Sequence, residues 1–203
     1  MIIDFTAIDQ RSAYLWLSST VTPRPIAWVS TLSVEGVPNL APFSFFQVVT
    51  GAPPTLMLSP LLQSDGSIKD TVRNIQDTGE FVINLVPFAM AERMNATAFS
   101  YEHGVNEFER CNIASTAAES VQPLRVKEAA VSFECKLASL QPYPEHNPSC
   151  HIILGEVLVA HIDESALDAR GHIDPARLDL IARMGGKWYT RTRSEGNFEM
   201  TRP

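Results

Sequence analysis

Val131-Ser132-Phe133-Glu134-Cys135-Lys136-Leu137 decides the fold class. Apolar and polar residues alternate along it, and a period of two turns one face to a core and the other to solvent. Cys135 falls on the apolar face and reads as a small core residue rather than a nucleophile. Downstream, His151 to Ile162 is apolar at nearly every position, the pattern of a strand covered on both faces. Gly155 within it marks a bulge or a close backbone approach. Upstream, Ile26 to Leu32, Val37 to Val48 with a break at Pro42, Thr55 to Leu58 and Phe81 to Val86 read as strands, and Glu35-Gly36 as a turn. Trp188 to Thr192 reads as a last strand. The helices are few: Asp9 to Ser19 behind an Asp9 cap, a helix opened by the capping-box pattern Ser67-Ile68-Lys69-Asp70 and stopped at Gly79, Pro87 to Met94, and Asp174 to Met184 stopped by Gly185-Gly186. Such a chain is mainly β, a barrel with a few peripheral helices, or an α+β domain. The regular strand–helix alternation of a doubly wound sheet is absent.

The 203 residues predict one domain over 1–203, with 45% hydrophobic and 19% charged residues, an ordinary globular composition. A net charge of −7 and no polybasic run argue against nucleic acid and against an anionic membrane surface as partners. Met1-Ile2-Ile3 is interrupted by Asp4, so no secretory leader is expected. No stretch approaches the ~20 apolar residues of a spanning helix. Three cysteines without CxxC spacing fit reduced thiols and a cytoplasmic location.

Three segments can carry chemistry. Thr22-Pro23-Arg24-Pro25 holds Arg24 in extended chain between prolines, directly before the strand that ends in Ser30-Thr31. An aimed guanidinium suits a planar, polar-edged ligand; a surface arginine on a turn is the alternative. Asn39-Leu40-Ala41-Pro42-Phe43-Ser44-Phe45-Phe46 mixes donors and acceptors with flat apolar surface, as a heteroaromatic ring requires, or else is an edge strand with core phenylalanines. Ser67 to Asn74 puts Lys69 and Thr71 at a helix start, where free N–H groups and the helix dipole attract an anion such as phosphate. The alternative is a solvated helix start with Asp70 as a capping acid. Neither GxGxxG nor GxxxxGK[ST] occurs, so no Rossmann fingerprint or P-loop is available.

Taken together these segments resemble the flavin reductase-like family, the FMN-binding split barrels. The resemblance runs from about Thr22 to Pro203. It includes Lys69-Asp70-Thr71 with Asn74, Glu80-Phe81-Val82-Ile83-Asn84, Asn106-Glu107-Phe108, Phe133-Glu134-Cys135, His151 to Val157, Arg183-Met184-Gly185-Gly186 with Tyr189, and Arg202-Pro203. It implies a homodimer with FMN near the subunit interface. It places Arg24, Pro25, Trp28, Ser30 and Thr31 along the flavin, and Asn39, Ala41, Pro42 and Ser44 on the isoalloxazine. It places Lys69 and Thr71 on the phosphate, supported by Asp70 and Asn74, and adds His151 and Arg183 as site candidates. Cys111 stands where relatives often have glycine and reads as packing. His146, Cys150 and His151 do not make a metal site, because strand neighbours point to opposite faces.

The implied activity is an NAD(P)H-dependent flavin reductase, with hydride passing from nicotinamide to flavin and reduced flavin going on to a partner oxygenase, an iron complex or oxygen. No side chain need act as acid or base in that step. The alternatives are a tightly FMN-bound, flavoredoxin-like electron carrier and a non-enzymatic split-barrel binding module.

Overall fold

The structure, a computed structural model, describes residues 1–192 and 194–201. The Arg202-Pro203 ending lies outside them. In chain order the elements are α1 (Gln10–Thr20), β1 (Arg24–Pro25), β2 (Ala27–Leu32), β3 (Pro38–Phe43), β4 (Phe46–Gly51), β5 (Pro54–Leu58), α2 (Asp70–Thr78), β6 (Glu80–Leu85), α3 (Ala91–Ala96), α4 (Glu107–Arg110), β7 (Ser115–Thr116), β8 (Arg125–Val126), β9 (Val131–Tyr143), β10 (Cys150–Ile162), α5 (Pro175–Leu178), β11 (Ile181–Arg183) and β12 (Tyr189–Arg191).

Seven strands form one antiparallel sheet in the order β3-β2-β6-β9-β10-β5-β4. Its two edge strands, β3 and β4, are consecutive in the chain and joined only through Ser44-Phe45. Opposite edges of a sheet can be that close only if the sheet curls on itself, so the architecture is a barrel. Alternation fills both faces, and the polar face of Val131 to Leu137 expected in solvent is itself covered: Ser132 and Glu134 are buried, and of that face only Lys136 is exposed. Ala27, Val29, Phe81, Ile83, Cys135 and Ile153 join Val72 and Ile75 of α2 in one cluster. Trp28, Leu40, Val86, Met94 and Phe108 form the other, beneath α3 and α4. Cys135 is fully buried, and burial, aided by Glu134, pushes its thiol up to about 12.

Local signals hold where local chemistry decides. Asp9 caps α1 through the Ser12 N–H, and Gly79 ends α2 with φ +72. Gly155 satisfies both readings. The β9–β10 register shifts beside it, and a Cβ there would lie 2.3 Å from the Phe81 ring. Elsewhere tertiary pairing prevails. The expected helix over Asp174 to Met184 stops at Leu178, because Asp179 takes φ +42 and its carboxylate is bound by the Arg191 guanidinium. Ile181–Arg183 then forms β11, between β1 and β12. The helix expected from Pro87 is a 3-10 turn, Phe88–Met90, running into α3.

The capping box does not form: Ser67 bonds to Asp65, and Lys69 is the residue before α2. Pro42 does not break its strand, because β3 is an edge and a missing N–H on the outward side costs no ladder bond. The break falls at Ser44-Phe45 instead. β10 is covered on both faces only in its first half; from Glu156 exposed positions alternate, Leu158 and Ile162 among them.

Candidate functional site

A cavity of about 500 Å³ opens where the β3 edge, the start of α2 and the segment 97–103 meet. That size suits a cofactor-sized ligand. β3 and its exit supply Asn39, Ala41, Pro42 and Ser44; the start of α2 supplies Lys69, Asp70 and Thr71. Seven of the sequence-derived candidates therefore share one wall.

Behind that wall lies a buried amide–hydroxyl network. Asn39 Nδ2 donates to Thr71 Oγ1 at 3.0 Å and to Thr31 Oγ1 at 3.3 Å. Asn74 Nδ2 donates to the same Thr31 hydroxyl at 3.0 Å. Thr31 and Asn74 thus fix the side chains that face the cavity without facing it themselves. Trp28 is fully buried, and its indole N–H donates to Thr97 Oγ1 at 2.9 Å, which anchors the opposite wall at its root. Ser30 is also fully buried, and its hydroxyl has no partner among the described residues.

Arg24 is aimed, but at the carbonyls of Ser18 and Val21 at the C-terminal end of α1. A cation there neutralises the helix's negative end. Its guanidinium also lies 5.5 Å from the Phe45 ring centroid, with Tyr14 of α1 tilted against the same ring; both aromatics line the cavity. Arg24 therefore shapes the cavity through α1 and Phe45. Pro25, its neighbour in β1, pairs with Ala182 and has no surface on the cavity. Arg183 pairs in register with Arg24 and stacks on Tyr189 at 4.6 Å. His151 is buried beside Pro60, with Nδ1 unpartnered among the described residues and burial holding its pKa below the usual histidine value. Neither Arg183 nor His151 lines the cavity.

The electrostatics of the wall divide in two. Lys69 makes no ion pair among the described residues. Asp70 is occupied: His103 Nδ1 lies 2.7 Å from its carboxylate and Arg73 Nη1 3.4 Å. An unpaired ammonium beside the α2 N-terminus and the Thr71 hydroxyl is chemically suited to a phosphate. The Asn39 amide and Ser44 hydroxyl beside Ala41, Pro42 and Phe43 are suited to the polar edge and flat face of a ring. The residues present therefore fit a flavin mononucleotide.

Sequence reading did not place Tyr14, Gln63, Arg73, Phe99, Tyr101, His103 or Glu107 at the cavity. Segment 97–103 carries no motif; an exposed Phe99 packed on Tyr101, ring centroids 4.9 Å apart, is a fact of tertiary closure. Glu107 lies within a stretch already singled out, Asn106-Glu107-Phe108, and its acid beside a buried aromatic was the available signal. Cys111 packs against the outer cluster and lies 3.7 Å from the Tyr101 hydroxyl. Among the described residues no group of three or more His, Cys, Asp or Glu is gathered as a metal site. No helix among them is long and apolar enough to cross a membrane.

The curled antiparallel sheet with a cavity beside its β3 edge has the split-barrel fold. Residues 18–177 match the sequence model of the flavin reductase like domain, and the chain belongs to that family. An uncharacterized protein of Aquifex aeolicus is 40% identical over 187 residues, covering 92% of this chain and 93% of its own. The crystal structure of nitrilotriacetate monooxygenase component B from Bacillus cereus superposes with a TM-score of 0.92 at 30% identity, covering 98% of each chain. That of 2-nitrobenzoate 2-nitroreductase NbaA from Pseudomonas fluorescens gives 0.87 at 26% identity, covering 100% of this chain and 96% of that one. The protein is a flavin-related oxidoreductase of this family.

Proposed function

We propose that the protein is an NAD(P)H-dependent flavin reductase that binds FMN in the cavity between β3 and α2. The observation that carries this reading is the unpaired Lys69 at a helix start, in the same cavity as the ring-edge groups Asn39 and Ser44. When bound, FMN supplies the redox chemistry, taking a hydride from the nicotinamide. The chain's own residues bind and orient. Lys69 and Thr71 hold the phosphate, while Asp70, engaged by His103 and Arg73, frames it. Asn39, Ala41, Pro42 and Ser44 line the ring. Thr31 and Asn74 lock Asn39 and Thr71 in place, Trp28 holds the opposite wall through Thr97, and Arg24 steadies α1 and Phe45, while Ser30 and Pro25 have no surface on the cavity. His151 and Arg183 are assigned no contact within one chain.

The reading extends to residues 1–203 as one unit, to a cytoplasmic protein whose three thiols are free, and to a homodimer. Support for the dimer comes from apolar side chains left in solvent by one chain: Leu15 and Leu17 of α1, Val48 and Val49 of β4, and Leu158 and Ile162 of β10. Reduced flavin then passes to an oxygenase partner, a role in keeping with the component naming of the Bacillus cereus relative.

The deciding experiment is an FMN titration followed by flavin fluorescence, then NADH oxidation with free FMN in excess. Saturable binding with multiple turnovers is expected; a single turnover of bound flavin would make the protein a carrier instead. Lys69→Ala weakens FMN binding by about 1.5–3 kcal/mol, the size of a charge-assisted contact. Unchanged affinity in that variant removes the phosphate site.

A further inference from the structure

Glu107, the first residue of α4, is a buried acid that the reading above does not use. Only 7% of its surface is exposed, yet it lines the cavity. Its Oε2 accepts the Leu40 N–H at 2.9 Å, which fixes the carboxyl against the outer edge of β3, beside the ring-facing Asn39 and Ala41. Its other oxygen has no hydrogen-bond partner among the described residues. It is not sealed in either, because it is absent from the fully buried orphan atoms, which are those of Arg24, Ser30 and His151.

No Lys, Arg or His among the described residues lies within ion-pair distance of it. The charged and titratable groups around it are Asp70 of α2, Tyr101 of segment 97–103 and Arg110 of α4, with Lys69, Arg73 and His103 elsewhere on the cavity wall. Arg73 and His103 are engaged by Asp70, and Arg110 lies 5.9 Å over the Tyr101 ring. Burial, opposed by the N–H groups of Leu40 and of Glu107 itself and aided slightly by the charge of Asp70, pushes the Glu107 carboxyl up to about 7. An ionised carboxylate can only accept hydrogen bonds; a neutral one has an O–H to give. The carbonyl oxygens and the unprotonated nitrogens N1 and N5 at the edge of an oxidised isoalloxazine need donors; only its N3–H gives one.

We propose that Glu107 presents a carboxylic acid O–H to the cavity and donates it to an acceptor atom on the edge of the bound flavin ring. The inference rests on the flavin-binding reading. It makes Glu107 a ligand-binding residue whose protonated form is the competent one.

The test is FMN affinity by fluorescence titration at pH 6 and pH 8 for the wild type, Glu107→Gln and Glu107→Ala. Glutamine keeps an acceptor for the Leu40 N–H and a donor toward the cavity, but does not titrate. Comparing the variants at each pH cancels the ionisation of the FMN phosphate. Relative to Glu107→Gln, the wild type loses about tenfold in affinity from pH 6 to pH 8, the fraction of protein still protonated falling by that factor. Glu107→Ala binds about tenfold more weakly than the wild type at pH 6, the loss of one hydrogen bond to the ring. Parallel pH profiles for wild type and Glu107→Gln overturn the proposal while leaving flavin binding intact. Absence of saturable FMN binding by the wild type at pH 6 overturns both. A carbon NMR titration of the wild-type Glu107 carboxyl needs no variant. It is expected to titrate near neutrality without flavin and higher with FMN bound; a value in the ordinary glutamate range, or a fall on binding, overturns the proposal.

Discussion

Two glutamates lie buried among the described residues, and their surroundings treat them oppositely. Glu134, on β9, is fully buried, and its carboxylate accepts the N–H groups of Glu119 at 2.8 Å and Ser120 at 2.6 Å as well as a bond from His161 of β10. Burial alone would raise its pKa, but these donors outweigh it and hold the carboxyl below the usual glutamate range. Among the described residues Glu107 is served by one donor from another element, the Leu40 N–H, besides its own N–H, and burial, with a little from neighbouring Asp70, pushes it the other way. Burial therefore does not by itself set the charge of an acid; it raises the pKa of both, and the donors turned toward each decide whether it prevails. The fully served glutamate pins the 119–120 segment to the barrel. The underserved one faces a cavity in which a further partner can bind.

The sharpest way to break this contrast is Glu134→Ala. It leaves two backbone N–H groups and an imidazole without their acceptor and is expected to cost about 3–5 kcal/mol in urea unfolding. A loss under about 1 kcal/mol would show that the three bonds are not a structural pin. Next in size is the pH dependence of stability. Glu107 has a folded pKa of about 7 against a reference of 4.5, so its contribution is fully present below pH 4.5 and is lost as pH rises through 7. That loss amounts to up to roughly 3 kcal/mol, and Glu107→Gln should flatten it.

Glu134 contributes with the opposite sign: its stabilisation is present above pH 4.5 and is lost as pH falls through its lowered pKa. Unfolding curves from about pH 2 to pH 8 separate the two limbs, and Glu134→Gln should remove only the acid one. Smallest is His161→Leu, which takes away one of the three Glu134 donors and should cost about 1.5 kcal/mol. If it costs as much as Glu134→Ala, the imidazole rather than the backbone pair carries the pin.

Much of the barrel is legible because its signals are local. The alternation from Val131 to Leu137, the Asp9 cap, the glycine at 79 and the tight Gly155 each report a backbone state that neighbouring residues determine. β11 is not legible, because three residues, Ile181 to Arg183, are strand only through what lies on either side of them. Arg24 shows the boundary well. Flanking prolines reveal that it is held, but not that its target is the end of α1. The β3 and α2 walls of the cavity are legible as chemistry-bearing segments. The third wall, segment 97–103 with Glu107, is not, because its residues acquire a role only when α4 docks on β3.

That docking has a consequence for how the molecule behaves in a crowd of its own kind. In an antiparallel pair only alternate residues of an edge strand turn their N–H outward. The Leu40 N–H points out to Glu107, so on β3 the outward positions are Pro38, Leu40 and Pro42. Two of these have no hydrogen to offer, and the third is already bound. An invading β-strand therefore finds no donor along this edge, which resists runaway strand addition and the fibres that follow from it. The seam of the barrel can stay open to a small molecule without inviting another polypeptide to zip onto it.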